Sequence, residues 1–192
     1  MTSSERDLIS KAIFTFIWSF KKGDNILYNM EILWTLYDAK NDSPPLRKMH
    51  FNKPIMLVIV AIIECFLDDF VDRIQEHVSD KLPNVTKTEV AEFRKKKLEK
   101  FEHYIATARK YNFFEQPKNF YTALEFLRDV RNRLHIQNTK NKLDKDEHKI
   151  FNDLNLHVAE KVFDVIFKTM MEKFPRGVSQ TTFDVTPAPW RR

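Results

Sequence analysis

Between positions 126 and 138 the chain reads FLRDVRNRLHIQN. Three arginines, Asn132 and a histidine alternate there with Phe126, Leu127, Val130 and Leu134, residues that a helix uses to bury itself. At ~100° per residue, Arg128, Asn132 and His135 fall on one arc. Arg131 lies between that arc and the apolar stripe of Phe120, Ala123, Leu127, Val130 and Leu134. Tyr121 projects from the same arc two turns earlier, and Asp129 and Arg133 lie away from it. A histidine with a pKa near ~6.5 exchanges protons at neutral pH. An arginine fork grips a phosphate and offsets charge built up in a transition state. An asparagine orients either one. Together they suit attack of an RNA 2′-hydroxyl on its own phosphodiester, a reaction that needs an acid/base and a cation but no metal.

The same residues have a plainer reading, in which the arginines pair with Glu125, Asp129 or other acids and His135 caps the helix C-terminus. Other chemistry-bearing residues are more scattered. Glu64, Asp68, Asp72 and Glu76 recur every four positions, either as an acidic solvent face or as acids opposite Arg128 or a metal. Residues 64–80 hold six acids against one arginine, whereas RKKKLEK at 94–100 holds five bases against one acid. Arg94, Lys95, Lys96 and Lys97 are either a solvated face or a track for phosphates. His50, His77, His103, His148 and His157 show no metal-ligand spacing to one another or to Cys65, so no metal site is expected. Phosphate loops, the GxSxG nucleophile motif and zinc knuckles are not found.

The elements that must carry these residues are helical. Apolar residues recur at helical spacing over about 4–21, 25–39, 54–79, 86–111, 118–136 and 145–173. Gly23 is expected to stop the first of these, and the Pro44–Pro45 pair to mark a loop. The run IMLVIVAII at 55–63 is apolar on all sides, which predicts the central, most buried helix. Thr86 with Glu89, and Asp144 with Glu147, read as capping boxes. After about residue 174 the period is lost. The expected organisation is therefore all-α, a bundle of about five to six helices over 1–174, with an extended or disordered, non-helical C-terminal tail over 175–192.

Composition agrees. The chain has 192 residues, 17 of them Phe and only 2 Gly, so glycine-dependent sheet and Rossmann-type domains are disfavoured. The formal charge of +5 permits an anionic partner. A single cysteine leaves no internal disulfide and suits a reducing compartment. The start MTSSERDLISKAIF lacks the basic and apolar regions of a signal peptide, and the longest apolar run is about half a membrane span. A soluble, cytoplasmic protein without a membrane partner is expected.

LRDVRNRLHIQN resembles the signature of the HEPN superfamily, the higher eukaryote and prokaryote nucleotide-binding domains. That signature is an arginine, four to six residues, then a histidine, with a polar residue often following the arginine. Arg128, followed by Asp129 and, after six residues, by His135, fits it. From Arg131 only three residues intervene, so Arg128 takes the family role, with Asn132 assisting. The resemblance implies an all-helical, HEPN-like bundle that forms a homodimer, two motifs meeting in one cleft. It implies a metal-independent endoribonuclease that needs no cofactor, with His135 as acid/base and RNA as partner. Many such members are toxins, held by an antitoxin protein, or act in phage defence. Others are catalytically inactive and bind RNA, a nucleotide or a partner protein, which is the rival expectation. Asp129, Arg131, Tyr121 and Glu64 are the auxiliary candidates.

Overall fold

Apolar periodicity orients the helices, and side-chain caps start several of them, in the computed structural model, which describes residues 2–76, 86–134, 143–176 and 188–191. Helix α1 (Ser3–Phe14) opens on a capping box between Thr2 and Glu5. Helix α2 (Phe20–Asp42) opens on Ser19, whose side chain accepts from the Lys22 amide. After the short α3 (Pro45–Lys48), α4 runs over Asn52–Glu76. Helix α5 (Lys87–Arg94) starts at the predicted Thr86–Glu89 box. Then come α6 (Phe101–Lys110), α7 (Lys118–Asn132), the single turn α8 (Glu147–Ile150) and α9 (Asp153–Lys173). Among the described residues no strand occurs, so the chain is all-α as expected.

Helix α4 is the centre. Ile55, Ile59, Ile63, Phe66, Phe70 and Ile74 on it are fully buried, and it packs against α2, α5, α6, α7 and α9. Phe66 meets Phe16 edge-on at 5.3 Å, and Phe163 stacks on Phe167 at 5.8 Å, so aromatic rings fill the middle of the bundle. Buried polar groups tie the helix ends together. The Asp69 carboxylate accepts from the Trp18 and Ser19 amides at 2.7 and 2.9 Å. The Arg73 guanidinium, 5% exposed, donates to the carbonyls of Phe16 at 3.1 Å and Phe174 at 2.7 Å.

Several boundaries depart from the periodicity. Gly23 does not end the first helix. Helix α1 stops at Phe14, a turn at Thr15 and Phe16 follows, the chain leaves the helix over 17–19 where Asp69 takes two amides, and Gly23 lies inside α2 facing the Phe14 ring. A Cβ on Gly23 would sit 2.6 Å from the Phe14 Cζ and nearer still to Cε1, so glycine is there for close helix approach. The stretch expected as one helix over 86–111 breaks at 95–100. There the Gln75 side chain donates to the Lys96 carbonyl at 2.8 Å. The last predicted helix divides at Phe151, and Asn152 caps its longer part. Part of the expected tail, 177–187, lies outside the described residues, but Ala188–Arg191 do not trail away. Ala188 is buried, Trp190 meets Phe163 edge-on at 5.3 Å, and its indole N–H donates to Asp164 at 3.3 Å. Among the described residues no helix is long and apolar enough to cross a membrane.

Candidate functional site

Helices α6 and α7 form a hairpin whose turn uses left-handed backbone at Asn112 (φ 45°) and Glu115 (φ 51°). The hairpin brings the last turn of α7 beside the first turn of α6, and both pack on α4. Between them is a cleft of about 270 Å³, lined by Glu64, Glu99, Lys100, Phe101, Glu102, Arg128, Arg131 and Asn132. Arg128, Arg131 and Asn132 come from α7, Glu64 from α4, and the rest from the 95–100 break and the start of α6.

Four residues singled out in the sequence therefore share one cavity: Arg128, Asn132, Arg131 and Glu64. Their electrostatics are paired. The Arg128 guanidinium donates through Nε and Nη2 to one Asp129 oxygen, at 3.1 and 2.8 Å. The Arg131 Nε lies 3.0 Å from the Glu64 carboxylate. Arg131 is 50% exposed at its side chain and Glu64 only 22%, so the acid forms the inner wall and the base reaches outward. Burial pushes the Glu64 carboxyl above the usual carboxylate range; Arg131 pulls it back down and Asp68, one turn on, pushes it further up. Asp129 contributes through Arg128 rather than by lining the cleft.

Other sequence candidates lie elsewhere. Tyr121 is buried with its hydroxyl donating to Asn112 at 2.8 Å, and it does not line the cleft. Arg94, Lys95, Lys96 and Lys97 are exposed and lead along the chain into Lys100, which does line it. Arg94 reaches the Ile74 carbonyl at 3.3 Å, and Lys97 pairs with Glu99 at 2.8 Å. His135 lies outside the described residues, following Leu134 directly in sequence. The expected stripe position of Leu134 is not kept. Helix α7 ends at Asn132, so Leu134 is 62% exposed and Arg133 is buried, donating to the Asp144 carbonyl.

The acids spaced by four along α4 do not form a bare solvent face. Asp68 accepts from the Tyr104 hydroxyl at 2.5 Å and pairs with Lys22 at 2.8 Å, and Asp72 also meets Lys22 at 2.5 Å. Burial raises the nearby Cys65 thiol to about 11, so it is a neutral packing group at physiological pH. Glu99, Lys100, Phe101 and Glu102 are the lining residues that sequence reasoning missed. The five bases of 94–100 were the available signal, but the periodicity kept Lys100 inside a continuous helix. Comparisons of the chain with models of known families, with curated proteins and with solved structures find no match.

Proposed function

We propose that this cleft belongs to a metal-independent endoribonuclease of HEPN type, working as a C2 homodimer. The observation that supports this reading is one cavity lined by two arginines and an asparagine from the last turn of a single helix, with a lysine opposite. In the proposed reaction Arg128 holds the scissile phosphate and Asn132 orients it. His135 takes the proton of the substrate's 2′-hydroxyl as the 2′-oxygen attacks phosphorus. The bond from phosphorus to the 5′-oxygen breaks, and that oxygen takes a proton as it leaves. The products are a 2′,3′-cyclic phosphate and a 5′-hydroxyl end. A role as a toxin held by an antitoxin protein, or in phage defence, goes with this reading, as does action in the cytoplasm.

One observation favours a second reading. Arg128 and Arg131 each have an acid partner within the chain, which is also how a silent module would satisfy a charged face. Such a module binds RNA, a nucleotide or a protein without cutting. Incubating the purified protein with total RNA in excess chelator separates the two. Cleavage that leaves cyclic phosphate ends, and that His135→Ala abolishes, supports the enzyme. Intact RNA bound by the protein supports the module.

A further inference from the structure

We propose that Glu64 is a displaceable counter-ion: a monoanionic phosphodiester of single-stranded RNA takes Arg131 from it, and Glu64 takes up a proton in exchange. The inference rests on reading the cleft as a phosphate site and adds to it a coupling and a charge selectivity. The lining carries three cations, Lys100, Arg128 and Arg131, against three carboxylates, Glu64, Glu99 and Glu102. An entering anion therefore meets a lining of balanced charge in which both arginines already hold an acid, Arg128 with Asp129 and Arg131 with Glu64.

Glu64 is the acid placed to be replaced. It holds the half-exposed Arg131 at 3.0 Å from the inner wall, so a ligand approaching from solvent reaches the guanidinium first. Among the described residues, the charged and titratable groups around Glu64 are Arg131 and Arg128 from α7, Cys65 and Asp68 on its own helix, and Tyr104 from α6. Across the cleft are Glu99, Lys100 and Glu102. Of these, Arg131 is what lowers its pKa against the upward push of burial and Asp68. Once a phosphate neutralises Arg131, a partly buried carboxylate faces a second anion, and protonation relieves both the burial and the repulsion.

The sign of the linkage follows. The bound-state pKa of Glu64 lies above the free-state one, so binding strengthens as pH falls through that window and weakens as pH rises out of it. One carboxylate charge is exchanged for one phosphate charge. The cavity therefore suits an internal diester, and it disfavours a dianionic monoester or a triphosphate.

The test is calorimetric titration with a 2′-O-methyl RNA hexamer lacking terminal phosphates, which has no free 2′-hydroxyl to react. Heats measured between pH 5 and 7, in buffers of different ionisation enthalpy, give the protons taken up on binding. The parent is expected to take up a substantial fraction of a proton, and Glu64→Gln is expected to lose that uptake. Glu64→Gln should also bind about fivefold more tightly at pH 7, because a half-exposed ion pair no longer competes. Running both proteins in a His135→Ala background removes the histidine's own protons. Carboxyl ¹³C NMR of Glu64 in the unaltered protein gives an independent readout, with its titration moving to higher pH when the hexamer is added. Equal uptake in the parent and Glu64→Gln, or an unmoved Glu64 resonance, overturns the proposal while leaving the phosphate site standing. Adenosine triphosphate binding as tightly as the hexamer overturns the charge matching. A hexamer that does not bind at all overturns the cleft reading and this proposal with it.

Discussion

Replacing Arg73 with methionine tests how α4 is anchored, and with it the wall on which Glu64 stands. The methionine keeps most of the aliphatic stem and removes the guanidinium. Two buried carbonyls, those of Phe16 and Phe174, then lose donors at 3.1 and 2.7 Å, with nothing on the new side chain to replace them. Hydrogen bonds from a charged donor are worth about 1.5–3 kcal/mol each. The expected loss is therefore about 3–5 kcal/mol, within the range for breaking a buried charged cluster from one side. For a chain of this size each kcal/mol moves the melting temperature by about 2–4 °C, so a fall of about 6–20 °C is expected. Urea denaturation followed by circular dichroism, with thermal melts alongside, measures it. Asp69→Asn keeps one acceptor for the Trp18 and Ser19 amides and should lose less. In combination with Arg73→Met the two losses should not add, since both residues brace the same chain segment. An Arg73→Met protein within about 1 kcal/mol of the parent would refute the claim that these bonds hold the helix ends together.

Four further outcomes are expected. His135→Ala and Arg128→Ala, melting like the parent, should each lower RNA cleavage in chelator by about 10²–10⁴-fold, and Arg131→Ala distinctly less, as read from single-turnover gels. Changing Arg94, Lys95, Lys96 and Lys97 together to Gln should flatten the salt dependence of RNA binding by roughly 0.7 log units for each phosphate no longer neutralised. The contribution of Lys97 should be the smallest of the lysines, because it already pairs with Glu99. Gly23→Ala should destabilise the parent, because overpacking against Phe14 by about 1–3 kcal/mol exceeds the helix-propensity gain of about 1 kcal/mol. In a Phe14→Ala background the same change should stabilise, and thermal melts show the reversal of sign. Light scattering at micromolar concentration should return twice the chain mass, and a monomer would count against the proposed two-fold cleft.

The sequence was most readable where one residue type decides the local structure. Apolar residues on all sides of 55–63 marked α4 as the central helix, and Thr86 with Glu89 marked the start of α5. It was least readable where a distant group decides. Nothing near Thr15 announces the end of α1, which goes with Asp69 taking the amides of Trp18 and Ser19 some 50 residues on. The break at 95–100 contains no glycine or proline, and the bonds around it reach back to α4, from Lys96 to Gln75 and from Arg94, the last residue of α5, to the Ile74 carbonyl. The site divides the same way. The spacing of Arg128, Arg131 and Asn132 on one helix placed them together, whereas Lys100 reaches the cleft through a break that periodicity does not record. Glu64 was visible as a charge ending an apolar run, but its partner, Arg131, was not.

The tryptophans have a practical optical consequence. Trp34 is buried, Trp190 rests on Tyr37 and Phe163, and Trp18 lies against the Arg176 guanidinium. None of the three lines the cleft. Intrinsic emission therefore reports the closure of the bundle and the seating of its C-terminal turn, while an occupant of the cleft has no indole to quench at contact. A change in emission on adding RNA would thus mean either a shift of the helices or a contact at the exposed Trp18, away from the cleft, and silence would be the signature of a ligand entering a rigid frame.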